Sequence, residues 1–493
     1  MIMRTLSFLF TILFFLAGTS QAAELSAGVS REEIPLAASR LVVGSGFSPI
    51  VSWDLNQYKK TIDRISGNVS LDAVTHEGSE NQVLLAFDSA EFSYLFKATG
   101  TLTQEGGAQV WTYDDNKVHI VRKISGTPRQ AYARMTWDIQ FKDKAPKNAY
   151  ISVQMSGGKS EPDYIDHQLA YLNKEVTRHR ANDFGKKENL AGTKLIGPVK
   201  WIGALSRYFL LAVVADGAGA NEGYFQTTSE NSGFASLTFP VKDGSVSIAT
   251  KAYFGPKEVE LLRSIDASLD VAVDFGWLTF LAYPMLRLLR LIFGFFHNYG
   301  VSIILLTLFI KVVTFPLNFK AAQGTQKMAK LQPHMAKLKE KYKDDMPAYN
   351  REVMALMKQS GANPMAGCLP VLIQMPVFFA LYRVLNYSVE LYQSPFAFWI
   401  HDLSAKDAFY VTPLLLTGLM FLQQRLTPSP ASIDPMQKKM FQFLPIIFGV
   451  TMIALPAGLT LYMLTNSVAS ILQQVFLNKK LGIGNVNATA AQA

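Results

Sequence analysis

The second half of the chain is incompatible with a fold surrounded only by water. From Trp277 to Lys479 long apolar runs follow one another, several approaching the roughly 20 residues that cross hydrocarbon. Whatever else the chain does must be arranged around them. Within the run "SIILLTLFIKVVTFPLNF", Ser302 to Phe319, stands Lys311, and an ammonium at such a depth costs about 3 kcal/mol on insertion scales. A charge kept at that cost points to a polar interior.

The pattern predicts five spans, at residues 299–318, 366–389, 410–426, 440–455 and 457–478. Residues 271–298 precede them and hold "WLTFLAYPMLRLLRLIFGFFHN", in which Arg287, Arg290, Gly294 and His297 are three, four and three apart. That spacing places them on one helical face, the pattern of an amphipathic helix lying in the membrane interface. A true span with two buried arginines is the competing reading. Residues 319–362 carry nine Lys/Arg against four acids, a net charge of +5, which marks them as cytoplasmic. Helically spaced Met and Leu on either side of "DDMP" predict a helical hairpin there.

Charge then alternates with each crossing. The loop from Glu390 to Phe409 has an acidic excess, Arg425, Lys438 and Lys439 flank the next turn, and Lys479 and Lys480 follow the last span. The first span is therefore expected to run from outside to inside, leaving residues 481–493 as a short cytoplasmic tail. The stretch "GIGNVNATAAQA" has no Lys or Arg.

The first half reads differently. Residues 1–22 form an export signal or an N-terminal signal anchor, with Arg4, an apolar core and Gln21-Ala22 preceding a possible cut. Over residues 23–270 the runs "NQVLLAFDS", "KVHIVRKIS", "AYISVQMSG", "YFLLAVVAD", "GFASLTFPVKDG" and "SVSIATKAYFGP" alternate with period two between turn residues. They predict a separate all-β sandwich domain outside the cytoplasm. The two halves explain a mean hydropathy of only +0.15. A net charge of +9 is accounted for by the basic segments flanking the spans, so no DNA partner is expected.

Templates for chemistry fail. "SGGKS" at 156–160 lacks the earlier glycine of a phosphate loop, where Val153 stands; "DYIDHQ" from Asp163 to Gln168 has one His beside acids; and Cys368 is the single cysteine. No catalytic residue, cofactor or metal is expected. What remains is polarity inside the spans. Thr307, Lys311 and Thr314 share one face of the first span; Tyr462, Asn466, Ser470 and Gln473 share one face of the last; the second adds Gln374. Such groups face a partner helix or a wet cavity. Helix association through hydroxyls and amides, and snorkelling of Lys311 to the headgroups, are the plainer readings. No span contains Asp or Glu, which leaves Lys311 without a carboxylate and implies water around it.

The stretches "GANPMAGCLPVLIQMPVFFALYRVL" (Gly361 to Leu385), "SPFAFWIHDLSAKD" (Ser394 to Asp407), "DPMQKKMFQFLPIIF" (Asp434 to Phe448) and "LPAGLTLYMLTNSVASILQQ" (Leu455 to Gln474) closely resemble the bacterial YidC membrane protein insertases. These share a superfamily with the mitochondrial Oxa and chloroplast Alb insertases. The resemblance implies a five-helix insertase core, a cytoplasmic hairpin and a large periplasmic β-domain. It also implies a hydrophilic groove, open to cytoplasm and lipid, down which nascent membrane proteins slide. The family's groove arginine falls on Lys311, a departure that keeps the charge, and its groove positions match at Thr307, Gln374, Met375, Phe378 and Tyr462; Met463 takes the place of a second aromatic of some relatives, and the polar stripes add Thr314 and Asn466. Met328, Met335, Met354 and Met357 either offer an adaptable client-contact surface on the hairpin or pack its two helices against each other. Implied partners are nascent membrane proteins, the Sec translocon, the ribosome and membrane lipids. The competing functions are a channel or solute transporter with an intramembrane lysine, and a membrane-tethered sugar- or lipid-processing enzyme built on the β-domain.

Overall fold

The computed structural model describes residues 30–48, 50–59, 68–70, 82–156, 167–172, 174–180, 193–205, 207–217, 220–229, 232–342, 345–360, 369–426 and 435–481. Residues 1–22, most of "SGGKS", Asp163 to Asp166, Cys368 and residues 482–493 lie outside them. The chain divides into two compact units, Met1–Asp274 and Phe275–Ala493.

The first unit is β-rich. Its opening strands β1 (Arg31–Pro35), β2 (Ser39–Gly44), β3 (Ile50–Lys59) and β4 (Asn68–Ser70) form a four-stranded antiparallel sheet in sequence order. Next come β5 (Gln82–Phe87), β6 (Thr101–Glu105), β7 (Ala108–Asp114), β8 (Val118–Ser125), β9 (Ala133–Phe141) and β10 (Asn148–Ser156). The remainder are β11 (His167–Leu172), β12 (Glu175–Arg180), β13 (Thr193–Leu205), β14 (Phe209–Ala215), β15 (Ala220–Ser229), β16 (Ser232–Pro240) and β17 (Ser245–Pro256). These thirteen pair in the order β5-β10-β16-β15-β13-β14-β17-β9-β8-β7-β6, with β11 beside β13 and β12 beside β11. Each quoted alternating run lies on a strand.

Alternation fixes which side chains go inward. Val118, Ile120 and Ile124 of β8 and Met135, Trp137 and Ile139 of β9 are buried. Arg122 occupies the same inward register on β8 and is 1% exposed. Its guanidinium lies over Trp111 and Trp137, at 4.9 and 5.5 Å from the ring centroids. It donates to the carbonyls of Gly44, Gly46 and Phe47, so it fastens the segment after β2 to the long sheet. The short helix α1 (Val259–Ile265) packs Leu262 and Ile265 against Trp201, Leu210 and Ala212.

The second unit is helical: α2 (Thr279–Phe296), α3 (Tyr299–Lys341), α4 (Met346–Gln359), α5 (Leu369–Tyr387), α6 (Val411–Leu426), α7 (Pro435–Ile453) and α8 (Ala457–Leu481). On α2, Ala282, Met285, Leu286 and Leu289 form the buried stripe, while Phe280, Leu291 and Phe295 are exposed. The side chain of Asn298 caps α3 by accepting from the Val301 amide. This helix runs on for 43 residues through Pro316 and Pro333, and so carries both the apolar run and the first arm of the basic hairpin. Asp345 caps α4 through the Ala348 amide, at 2.9 Å, where "DDMP" predicts the turn. Met335, Tyr349 and Val353 then pack the two arms together.

Exposed large apolar side chains crowd α3 (Val312, Val313), α6 (Leu414, Leu415), α7 (Ile447, Val450) and α8 (Leu472, Phe476). Surfaces of this kind call for an apolar solvent. Among the described residues two helices, Gly276–Phe296 and Tyr299–Met328, are long and apolar enough to cross a membrane.

Candidate functional site

Helices α3 and α8 run parallel and meet at successive turns. Lys311 meets Ser470, Phe315 meets Phe476 with ring centroids 6.4 Å apart, and the Lys480 ammonium lies 5.3 Å from the centre of the Phe319 ring. Spacings of four on α3 keep these groups on one face. Lys311 is half-buried and its Nζ donates to Ser470 Oγ at 2.7 Å. The Ser470 hydroxyl in turn donates to the Asn466 carbonyl at 2.7 Å. The ammonium is therefore held by a neutral acceptor on the facing helix.

A second polar pair joins α5 to α8. Gln374 Nε2 donates to the Tyr462 hydroxyl at 2.7 Å, and Tyr462 is 1% exposed. Thr307 and Thr314 lie on the Lys311 face, but each turns its hydroxyl hydrogen back to its own helix, to Ile303 and Ile310. They offer neighbours only lone pairs. Asn466 Oδ1 is buried without a partner among the described residues. Met375 is exposed, Met463 half-buried, and Phe378 packs against Phe379 and Tyr382.

The hairpin methionines do not form one surface. Met335 is 2% exposed, inside the packing of the two arms, and Met357 lies against the same cluster. Met335 is thus withdrawn from any exposed contact set: its helical position faces α4, so packing consumes it. Met328 is half-buried and Met354 is 70% exposed. Met346, which the sequence reading passed over, is also exposed.

Two family models match in succession. That described as YidC periplasmic domain covers residues 48–288, and that described as 60Kd inner membrane protein covers residues 291–483. The membrane protein insertase YidC of Citrifermentans bemidjiense is 40% identical over 459 residues, 88% of this chain and 82% of that protein. The chain belongs to the YidC membrane protein insertase family. It is accordingly an inner-membrane protein with a periplasmic domain. The YidC of Magnetococcus marinus is 42% identical over 80% of this chain and 66% of its own. That of Geotalea daltonii is 42% identical over 57% of this chain, a match spanning 54% of the relative. The chain thus aligns with only about half the length of several YidC relatives. A solved structure of an active YidC insertase with its first transmembrane domain resolved aligns over 96% of this chain and 99% of its own, at 16% identity and a TM-score of 0.39.

Sequence reasoning placed Lys311 and Ser470 on separate stripes and did not join them. The signal was depth: Lys311 is the thirteenth residue of α3 and Ser470 the fourteenth of α8.

Proposed function

We propose that the protein inserts and helps fold inner-membrane proteins, alone or with the Sec translocon, through a hydrophilic groove between α3, α5 and α8. The observation that carries this reading is Lys311 bound to Ser470 inside the apolar run of α3, with Gln374 bound to Tyr462 between α5 and α8. The core consists of α3, α5, α6, α7 and α8 as five spans, with α2 in the outer interface and the α3–α4 hairpin and carboxyl terminus in the cytoplasm. Family membership and the net positive charge of the hairpin support that orientation.

In this mechanism the ammonium and the hydroxyl lone pairs of Thr314 accommodate a short polar segment of a client partway across the bilayer, while Thr307, 2% exposed, lies within the packing behind them. Its apolar segment meets Met375, Phe378, Met463 and lipid. Partitioning of about 20 apolar residues into hydrocarbon supplies the driving force, without nucleotide. Asn466 and Tyr462 line the α8 wall. Met354 and Met346 offer the arriving segment a soft apolar contact, while hairpin basic residues suit anionic lipid or ribosomal RNA.

Reconstitution tests it. Liposomes containing only this protein are expected to insert a small single-span client. Lys311→Ala should slow insertion several-fold at matched protein levels, Lys311→Arg should retain it, and Lys311→Gln should resemble Ala. Normal insertion by Lys311→Ala would remove the charge from the mechanism.

A further inference from the structure

We propose that Ser470 is the positioning residue for the Lys311 ammonium, fixing the depth at which that charge meets the segment a client passes outward. This rests on the insertase reading. A serine hydroxyl has one hydrogen and two lone pairs. In Ser470 the hydrogen is committed to the Asn466 carbonyl at 2.7 Å, so the group can only accept from Lys311 Nζ, also at 2.7 Å. The parallel contacts Phe315–Phe476 and Phe319–Lys480 hold α3 and α8 in this register.

Three consequences follow from the chemistry. The lysine stem would otherwise be free to carry its head toward the nearer headgroups; the acceptor fixes it at depth. Because the acceptor is neutral, the positive charge is not cancelled, as it would be by a carboxylate. An ammonium has three N–H donors and Ser470 takes one, which leaves two to meet a passing carboxylate. Ser470 thus decides where the charge stands without diminishing it.

The test compares two single-span clients that differ only by an Asp or an Asn in the outward-passing segment, inserted by liposomes containing the full chain. The ratio of acidic to neutral insertion is the readout. It is expected to exceed one for the unmodified protein and to fall about threefold in Ser470→Ala, a coupling typical of residues in contact. Ser470→Thr, which keeps the hydroxyl, should restore it. In a Lys311→Gln background, Ser470→Ala should change the ratio no further. An unchanged ratio in Ser470→Ala, or an equal fall in the Lys311→Gln background, would overturn the proposal while leaving the insertase reading intact. If the unmodified protein inserts neither client, the insertase reading falls and this proposal with it.

Discussion

Thr412 and Thr460 stand hydroxyl to hydroxyl, 3.0 Å apart, near the starts of α6 and α8. Thr412 Oγ1 also lies 2.7 Å from Asp407 Oδ2. The carboxylate takes the Thr412 hydrogen, and the Thr460 hydroxyl donates to the Ala457 carbonyl at 2.9 Å, so Thr412 can accept only a hydrogen that Thr460 shares with its own helix. Asp407 Oδ1 meanwhile accepts from the Trp399 indole and the Phe409 amide.

Five residues earlier, Asp402 receives the amides of Gln393 and Ser404 and the Ser404 hydroxyl on one oxygen, Oδ1. An asparagine can reproduce that with its carbonyl, but not the two-sided set at Asp407, where its NH2 would face donors. Asp402→Asn is expected to change stability by less than about 1 kcal/mol and Asp407→Asn to lower it by about 2–3 kcal/mol, read from thermal unfolding in detergent. The pH responses should differ in sign. Burial disfavours the Asp407 charge, yet the bonds from Thr412, Phe409 and Trp399 outweigh it and hold the carboxyl below its usual range. Its contribution is present above about pH 4 and lost as pH falls through the depressed folded value. Burial instead lifts the Asp402 carboxyl despite its bonds from Ser404, so acidification through that raised pKa relieves a buried charge.

Arg290 of α2 pairs with Glu390, the two side chains being 23% and 9% exposed. Removing one partner strands the other, so Arg290→Ala should destabilise by roughly 2–4 kcal/mol, below the range for fully buried pairs because Arg290 retains some solvent. Arg290→Met combined with Glu390→Gln should recover most of that loss. Equal damage from the single and double variants would show that the pair is not the cause.

Lysine should fail at position 122. One ammonium cannot serve three carbonyls while lying flat between two indoles, and Arg122 does both. Arg122→Lys is expected to cost about 3 kcal/mol or more and to alter the emission of Trp111 and Trp137. Unchanged spectra and unfolding midpoint would refute the fastening role.

Met335 and Met354 should separate folding from client contact. Met335→Ala empties a packed position and is expected to destabilise the hairpin by about 2–3 kcal/mol, seen as faster proteolysis between α3 and α4. Met354→Glu, at an exposed position, should shift stability by less than about 0.5 kcal/mol yet reduce crosslinking to an apolar client segment. Intact crosslinking would exclude Met354 from the contact surface.

The six quoted period-two runs fall on β5, β8, β10, β14, β16 and β17 of the seventeen described strands, because alternation depends on neighbours along the chain. The expected break between first span and hairpin at residue 318, by contrast, is absent, and α3 runs through it. Residue 122 shows the limit. "KVHIVRKIS" assigns it to the inward face, but the need for a guanidinium there arises from carbonyls 75 to 78 residues away. Likewise the stripe through Ser470 was visible, while its bond to Lys311 spans 159 positions and depends on how two helices align in depth. Met335 and Met354 look alike in sequence; only the position of α4 makes one a packing group and the other surface.

The uninterrupted α3 also has a mechanical meaning. Its 43 residues make a rod about 64 Å long at 1.5 Å per residue, roughly twice the hydrocarbon thickness. Pro316 and Pro333 have no amide hydrogen to return to residues 312 and 329, so the rod has two weakened turns, one just beyond Lys311 and one inside the basic arm. The contacts Phe315–Phe476 and Lys480–Phe319 lie beside and beyond the first of these turns, so the wall that α3 and α8 share reaches past the Lys311–Ser470 contact toward the basic arm.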